Sequence, residues 1–200
     1  MPKGKYNAPY AGDLRADLLD AAVETIAEAG VAPLSLRAIA RRLGVSHAAP
    51  KNHFSDKRAL LQAIAIEGFE RLGAESSASL EGATSAVDAL QQSGRAYIAF
   101  ALRNPGYFRV MWRNELLDNE DPSLVQAGRA VFGGLLTSVL AAQAEGWAED
   151  HDPTDLATVA WAAVHGIAQL QLDGPLSEMV PRDEDAVIEG VVGVLIDGLR

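Results

Sequence analysis

The stretch Leu43–Lys57, LGVSHAAPKNHFSDK, sets His47, Lys51, Asn52 and His53 around Pro50, directly after an apolar Leu-Gly-Val. From Ser35 to Arg58 there are six Lys or Arg and a single anion, Asp56, in a chain whose net charge is −10. Side chains of this kind grip phosphate oxygens and donate to base edges, so the chemistry to expect is binding of a polyanion.

The charge is divided along the chain. Met1 to Leu72 holds ten Lys/Arg against eight Asp/Glu, net +2, whereas Gly73 onward holds seven against nineteen, net −12. A basic end on an acidic body suggests a polyanion held at that end only. The 200 residues, 48% apolar and 22% charged, suit one large domain or a small domain joined to a larger one. With no Cys, disulfides, thiolate chemistry and Cys-based zinc sites are excluded. The opening MPKGKYNAPYAGD has no apolar core of a signal peptide, and AVFGGLLTSVLAA is too short to span a bilayer. An intracellular protein with no membrane partner is expected.

The elements that must position these residues read as helices. Leu14, Leu18, Ala22, Val23 and Ile26 recur at helical spacing over about Asp13–Glu28, with Gly30 to end the helix. Ser35 is placed to cap a short second helix carrying Leu36, Ile39, Ala40 and Leu43, which Gly44 terminates. Ser46 is expected to cap a third helix over His47–Phe54, with Pro50 in its first turn, and a fourth runs from Lys57 to about Arg71. SSASLEGATS reads as a linker or break. Further helices are expected near Ala86–Arg103, Gly106–Arg113, Ser123–Glu145, Thr154–Leu172 and Glu184–Leu199, with Pro105, Pro122, Pro153, Pro175 and Pro181 between them. The fold class is all-α, about nine helices in total.

Two short helices joined by a Gly-containing turn are a helix–turn–helix signature, and SLRAIARRLGVSHAAPKNHF fits it. The start of the second helix would then face a major groove. A helical hairpin with a solvated basic face satisfies the same pattern.

From Gly12 to Ala65 the order and spacing of LLDAA, LSLRAIARRLGVS and HFSDKRALL resemble the TetR-type (tetracycline-repressor-like) transcriptional regulators. The resemblance implies a three-helix DNA-binding head, residues 1–58, on a larger ligand-binding and dimerising helical body, residues 59–200. It also implies that Arg37, Ser46, His47, Ala48 and Ala49 face bases or the adjacent backbone. Lys51, His53 and Lys57 would hold phosphates, the last at a helix N-terminus. Lys3, Lys5 and Arg15 would supply an arm along the duplex. The chain departs from the family at Lys51, where a Tyr is usual, so a point charge replaces a rigid ring and more salt-sensitive binding is expected.

In the body, NPGYFRVMW and AWAAVHGIAQLQLDG resemble, more loosely, a Trp-His-Gly subgroup of the same family. An apolar site lined by Tyr97, Phe100, Phe108, Met111, Trp112, Trp161, His165 and Gln169 would take a small apolar or amphipathic inducer, unless these residues simply fill the core. Small residues on the last helix, Ala186, Gly190 and Gly193, with Val194 and with Val164 on the preceding one, call for close packing against a second copy, a homodimer.

The function expected is a ligand-responsive regulator, a repressor by family expectation. As a dimer it would bind a double-stranded inverted-repeat operator and be released by its inducer, with no cofactor. Two alternatives remain: a helical small-molecule-binding protein without operator recognition, and a helical enzyme. For the enzyme, His151, Asp152 and Asp155 have no fixed ligand spacing, and no phosphate loop or nucleophile motif occurs.

Overall fold

The computed structural model describes residues 12–180 and 183–199, so Lys3, Lys5 and Pro181 lie outside the described residues. Among the described residues every regular element is helical. They are α1 (Leu14–Ala29), α2 (Leu36–Arg42), a 3-10 turn Ala49–Asn52, α3 (Lys57–Ser79), α4 (Ala86–Arg103), α5 (Pro105–Met111), a 3-10 turn Asn114–Leu116, α6 (Pro122–Ala144), α7 (Pro153–Leu172), α8 (Pro175–Met179) and α9 (Glu184–Gly198). The all-α expectation holds. Pro105, Pro122, Pro153 and Pro175 each stand at the first helical position, where the missing N–H costs nothing, rather than in the gaps.

Short acidic or hydroxyl side chains set the helix starts. Asp13 accepts from Arg15 and Ala16, Ser35 from Ala38, and Asp152 from Thr154 and Asp155. Two expectations fail. The fourth expected helix does not stop near Arg71 but runs on as α3 through SSAS to Ser79, and the chain turns only at Gly82, whose φ is +85°. The third helix is not α-helical at all. Pro50 has no N–H to return to Ser46, so the segment closes as a 3-10 turn, and no side chain caps it.

The chain divides into two compact units: residues up to Gly68 with Asn104–Val125, and Phe69–Arg103 with Gln126 onward. The first therefore holds more chain than the 1–58 segment, because α5 and the loop after it return to α1 and α3. Gly106 lies against α1, Arg109 donates to the carbonyls of Ile26 (3.3 Å) and Ala27 (2.9 Å), and Arg58 donates to the Leu117 carbonyl. Gln62 exchanges hydrogen bonds with the Asp118 backbone. Leu18, Ala22, Ile26, Ile39, Ala40, Leu60 and Ile64 form the core of this unit.

In the second unit α4 packs on α7 and α9, where Gly94 allows Val164 and Val192 to approach. The Trp147 indole donates to the Ile196 carbonyl, 3.1 Å, and Arg95 pairs with Glu189, 2.7 Å. Helix α6 is longer than the apolar run seen in sequence, and by length and composition alone it could cross a bilayer.

Candidate nucleic-acid interface and effector site

The turn between α2 and the 3-10 segment is held by two backbone bonds, Val45 N–H to Ala40 O (3.0 Å) and Gly44 N–H to Arg41 O (3.2 Å), with Gly44 at φ +69°. This pairing is a Schellman motif, and the left-handed residue at its centre is why Gly occupies position 44. Pro50 and Phe54 are buried and anchor the 3-10 turn; the Arg15 guanidinium lies 5.4 Å from the centre of the Phe54 ring. Arg15 therefore packs on the head, whatever it does along a duplex.

With the anchors inward, Arg37, Ser46, His47, Ala48, Lys51 and His53 are exposed and Ala49 is half-buried. Lys57 is engaged elsewhere. Its ammonium donates to the carbonyls of Val31, 2.7 Å, and Ala32, 3.5 Å, while Asp56 already accepts from Ala59 N–H at the start of α3. At this helix N-terminus, where a phosphate is expected, the Asp56 carboxylate takes the Ala59 N–H, and Lys57 braces the α1–α2 loop. Asn52, part of the same cluster in the sequence but without an expected role of its own, is exposed beside Lys51 on the same turn. An amide that can pair bidentately with adenine was the available signal.

Of the eight residues expected around a ligand, the structure brings three into one hydrogen-bonded cluster. In the second unit the Trp161 indole N–H donates to the Tyr97 hydroxyl, 3.3 Å, and that hydroxyl lies 2.9 Å from His165 Nδ1. The Phe132 ring meets Trp161 edge-on, 6.1 Å between centres. The Tyr97 hydroxyl accepts from the indole and shares a second hydrogen bond with His165 Nδ1, whose direction is set by the imidazole tautomer. Burial raises the Tyr97 hydroxyl far above its ordinary value, against the opposing effect of the Trp161 bond, and burial lowers the His165 imidazole. The cluster is neutral at pH 7.

Phe100 is fully buried in the same unit. Gln169 does not join the cluster: it is exposed and donates along its own helix to Asp173, 2.8 Å. Phe108 and Met111 of α5, both buried, and Trp112, which follows that helix, belong to the first unit. Val164 points inward onto Gly94 of α4, so it is unavailable to a second copy; Ala186, Gly190 and Val194 are exposed and Gly193 half-buried. His151, Asp152 and Asp155 line a cleft of about 150 Å³ with Leu156, Val159 and Leu199, and Asp152 is occupied there as the α7 cap.

A Gly-pinned helix–turn–helix with a cationic exposed face, in an all-helical chain, defines a DNA-binding regulator. The chain belongs to the TetR family: residues 18–64 match the model described as "Bacterial regulatory proteins, tetR family", and residues 90–195 match "Tetracyclin repressor-like, C-terminal domain". It is similar to the nucleoid occlusion factor SlmA of Marinobacter nauticus, 30% identical over 132 residues, 66% of this chain and 67% of that protein. A structure of a protein of unknown function from Rhodococcus sp. RHA1 is 36% identical with TM-score 0.81, covering 96% of this chain and 97% of that one. The regulator PfmR of Thermus thermophilus, 20% identical with TM-score 0.75 over 92% and 98% of the two chains, shares the fold.

Proposed function

We propose that two copies bind an inverted-repeat operator, one head in each of two successive major grooves, and that a small apolar or amphipathic molecule releases them, giving repression. The observation that carries this reading is the exposed set Arg37, His47, Lys51 and His53 around a turn whose geometry Gly44 and Pro50 fix. Arg37 and Lys51 supply phosphate contacts; His47 and Asn52 supply hydrogen bonds to base edges, and Ala48 can touch a thymine methyl. Residues 1–58 are the DNA-binding part and 59–200 the part that binds effector and second copy. A protein acting on the chromosome works in the cytoplasm.

The effector site is centred on Tyr97, Trp161 and His165, a polar trio in an apolar body, which suits one oriented small molecule. The effector acts only through its differential affinity for the DNA-competent arrangement of the heads and for others. Pairing with a second copy falls to the exposed faces of α7 and α9. Function is binding rather than turnover.

The test is selection of bound duplexes from a random pool at physiological salt. An enriched inverted repeat is expected. A pool held without a motif and lost as salt rises would replace this reading with a ligand-binding protein whose head grips only electrostatically, an outcome that Lys51 in place of a ring makes worth scoring. Trp161→Ala and His165→Ala should blunt the response to any effector; an unchanged response removes the proposed site.

A further inference from the structure

Helix α6 covers its apolar side chains poorly at one place. Toward its C-terminal end Val139 and Ala142 are buried, whereas Val131, Phe132, Leu135 and Leu136, on the same helical stripe, are only half-buried. The neighbours of that stretch are α3 and α7. Val131 lies 3.9 Å from the Cβ position of Gly73 on α3, and the Phe132 ring meets Trp161 of α7. The cluster of Tyr97, Trp161 and His165 therefore borders the least covered part of α6, and Trp161 and His165 are themselves half-buried.

The same stretch of α6 is soft. Gly133 and Gly134 stand in mid-helix, both exposed, with nothing within 4 Å of where their Cβ atoms would be. Packing gives no reason for Gly at either position, and each weakens the helix relative to Ala. Two hydroxyls add to the effect. Thr137 donates back to the Gly133 carbonyl, 2.9 Å, and Ser138 to the Gly134 carbonyl, 3.2 Å, an arrangement that favours bending.

The three helices that meet at the cluster are poor in charge there. α6 carries no acid, and the acids of α4 and α7, Asp88 and Asp155, stand in the first turns, away from Tyr97 and Trp161. A cation would be desolvated without a carboxylate. An anion fares no better. From Gly73 onward the chain is net −12 and has no Lys, and Arg95, on the same helix as Tyr97, is held by Glu189 of α9.

We infer that the effector is an uncharged, elongated molecule with one hydrogen-bonding group, which lies along α6 between Val131 and Val139 with that group at Tyr97, Trp161 and His165, and that α6 bows at Gly133 and Gly134 to admit it. This rests on the effector site proposed above and specifies what it takes and how it opens. From Val131 to Val139 the helix spans about 12 Å, the length of a chain of roughly ten carbons.

The test uses the full chain and three probes of equal length: decan-1-ol, decanoate and decyltrimethylammonium. Decan-1-ol should bind at least about tenfold tighter than either charged analogue. Each CH2 removed from the alcohol should weaken binding about fourfold, and Trp161→Ala should weaken it too. The double variant Gly133→Ala with Gly134→Ala should melt at higher temperature. In stopped flow its association and release should both slow about tenfold, with the dissociation constant nearly unchanged. A charged analogue bound as tightly as the alcohol overturns the uncharged class, and unchanged rates in the double variant overturn the bowing of α6. Decan-1-ol bound equally well by Trp161→Ala overturns the site itself. If none of the three binds, the elongated seat is wrong, and the site stands or falls by the Trp161→Ala response to other effectors.

Discussion

Gly106 of α5 and Val23 of α1 meet backbone to backbone: a Cβ at position 106 would stand 2.2 Å from the Val23 carbonyl oxygen. Neither main chain can yield without moving its helix. Gly106→Ala should therefore destabilise the first unit by about 2–3 kcal/mol, read as a lower urea midpoint. Gly68→Ala is the control. Its Cβ would meet the Met111 sulfur at 2.7 Å and Cγ at 2.8 Å, side-chain atoms that can shift where a carbonyl cannot, so the loss should be smaller than at Gly106.

Lys51 and Lys57 look alike in sequence and should behave differently. Lys51→Ala should leave stability unchanged and lower the slope of log affinity against log salt by about one per head. Lys57→Met should instead cost about 1–2 kcal/mol of stability, because the Val31 carbonyl loses its cation, and should shift the salt slope less. Equal changes in slope for both would return Lys57 to the phosphate contacts.

Acid should weaken the fold through His165. Burial lowers its imidazole below the ordinary 6.5, so the unfolded chain takes up a proton more readily than the folded one. The contribution is fully present above pH 6.5 and is lost as pH falls from there towards the folded-state value. His165→Gln should remove that part of the stability–pH profile. Tyr97, raised by burial, acts at the other extreme: stability should decline as pH rises past 10.0, and Tyr97→Phe should abolish this decline.

Tyr97→Phe should also cost about 1–2 kcal/mol at neutral pH, since the Trp161 N–H and His165 Nδ1 both lose the hydroxyl between them. Operator affinity without effector should be unchanged and effector sensitivity reduced. A variant with full stability and full sensitivity would reduce the trio to ordinary core.

What was legible in the sequence was local. Ser35, Gly30 and Gly44 marked helix ends because capping and left-handed backbone depend on the residue itself. Pro50 matters more than its place in a first turn suggests: one missing donor is enough to turn an expected helix into a 3-10 turn. Val164, expected on an outward face, points inward. α7 and α9 carry apolar residues on both faces, and periodicity cannot say which face the chain keeps for itself. The return of α5 to α1 had no local signal either. It rests on Gly106 and Arg109 finding carbonyls some eighty residues away in the chain.

The short 3-10 turn at Ala49–Asn52 limits how much text one head can read. About three side chains reaching base edges resolve only a few letters, far too few to single out one address among roughly 10⁶–10⁹ alternatives. Two such words would have to be read together, and the distance between them becomes part of the address. Whatever changes that distance rewrites the message without altering a letter.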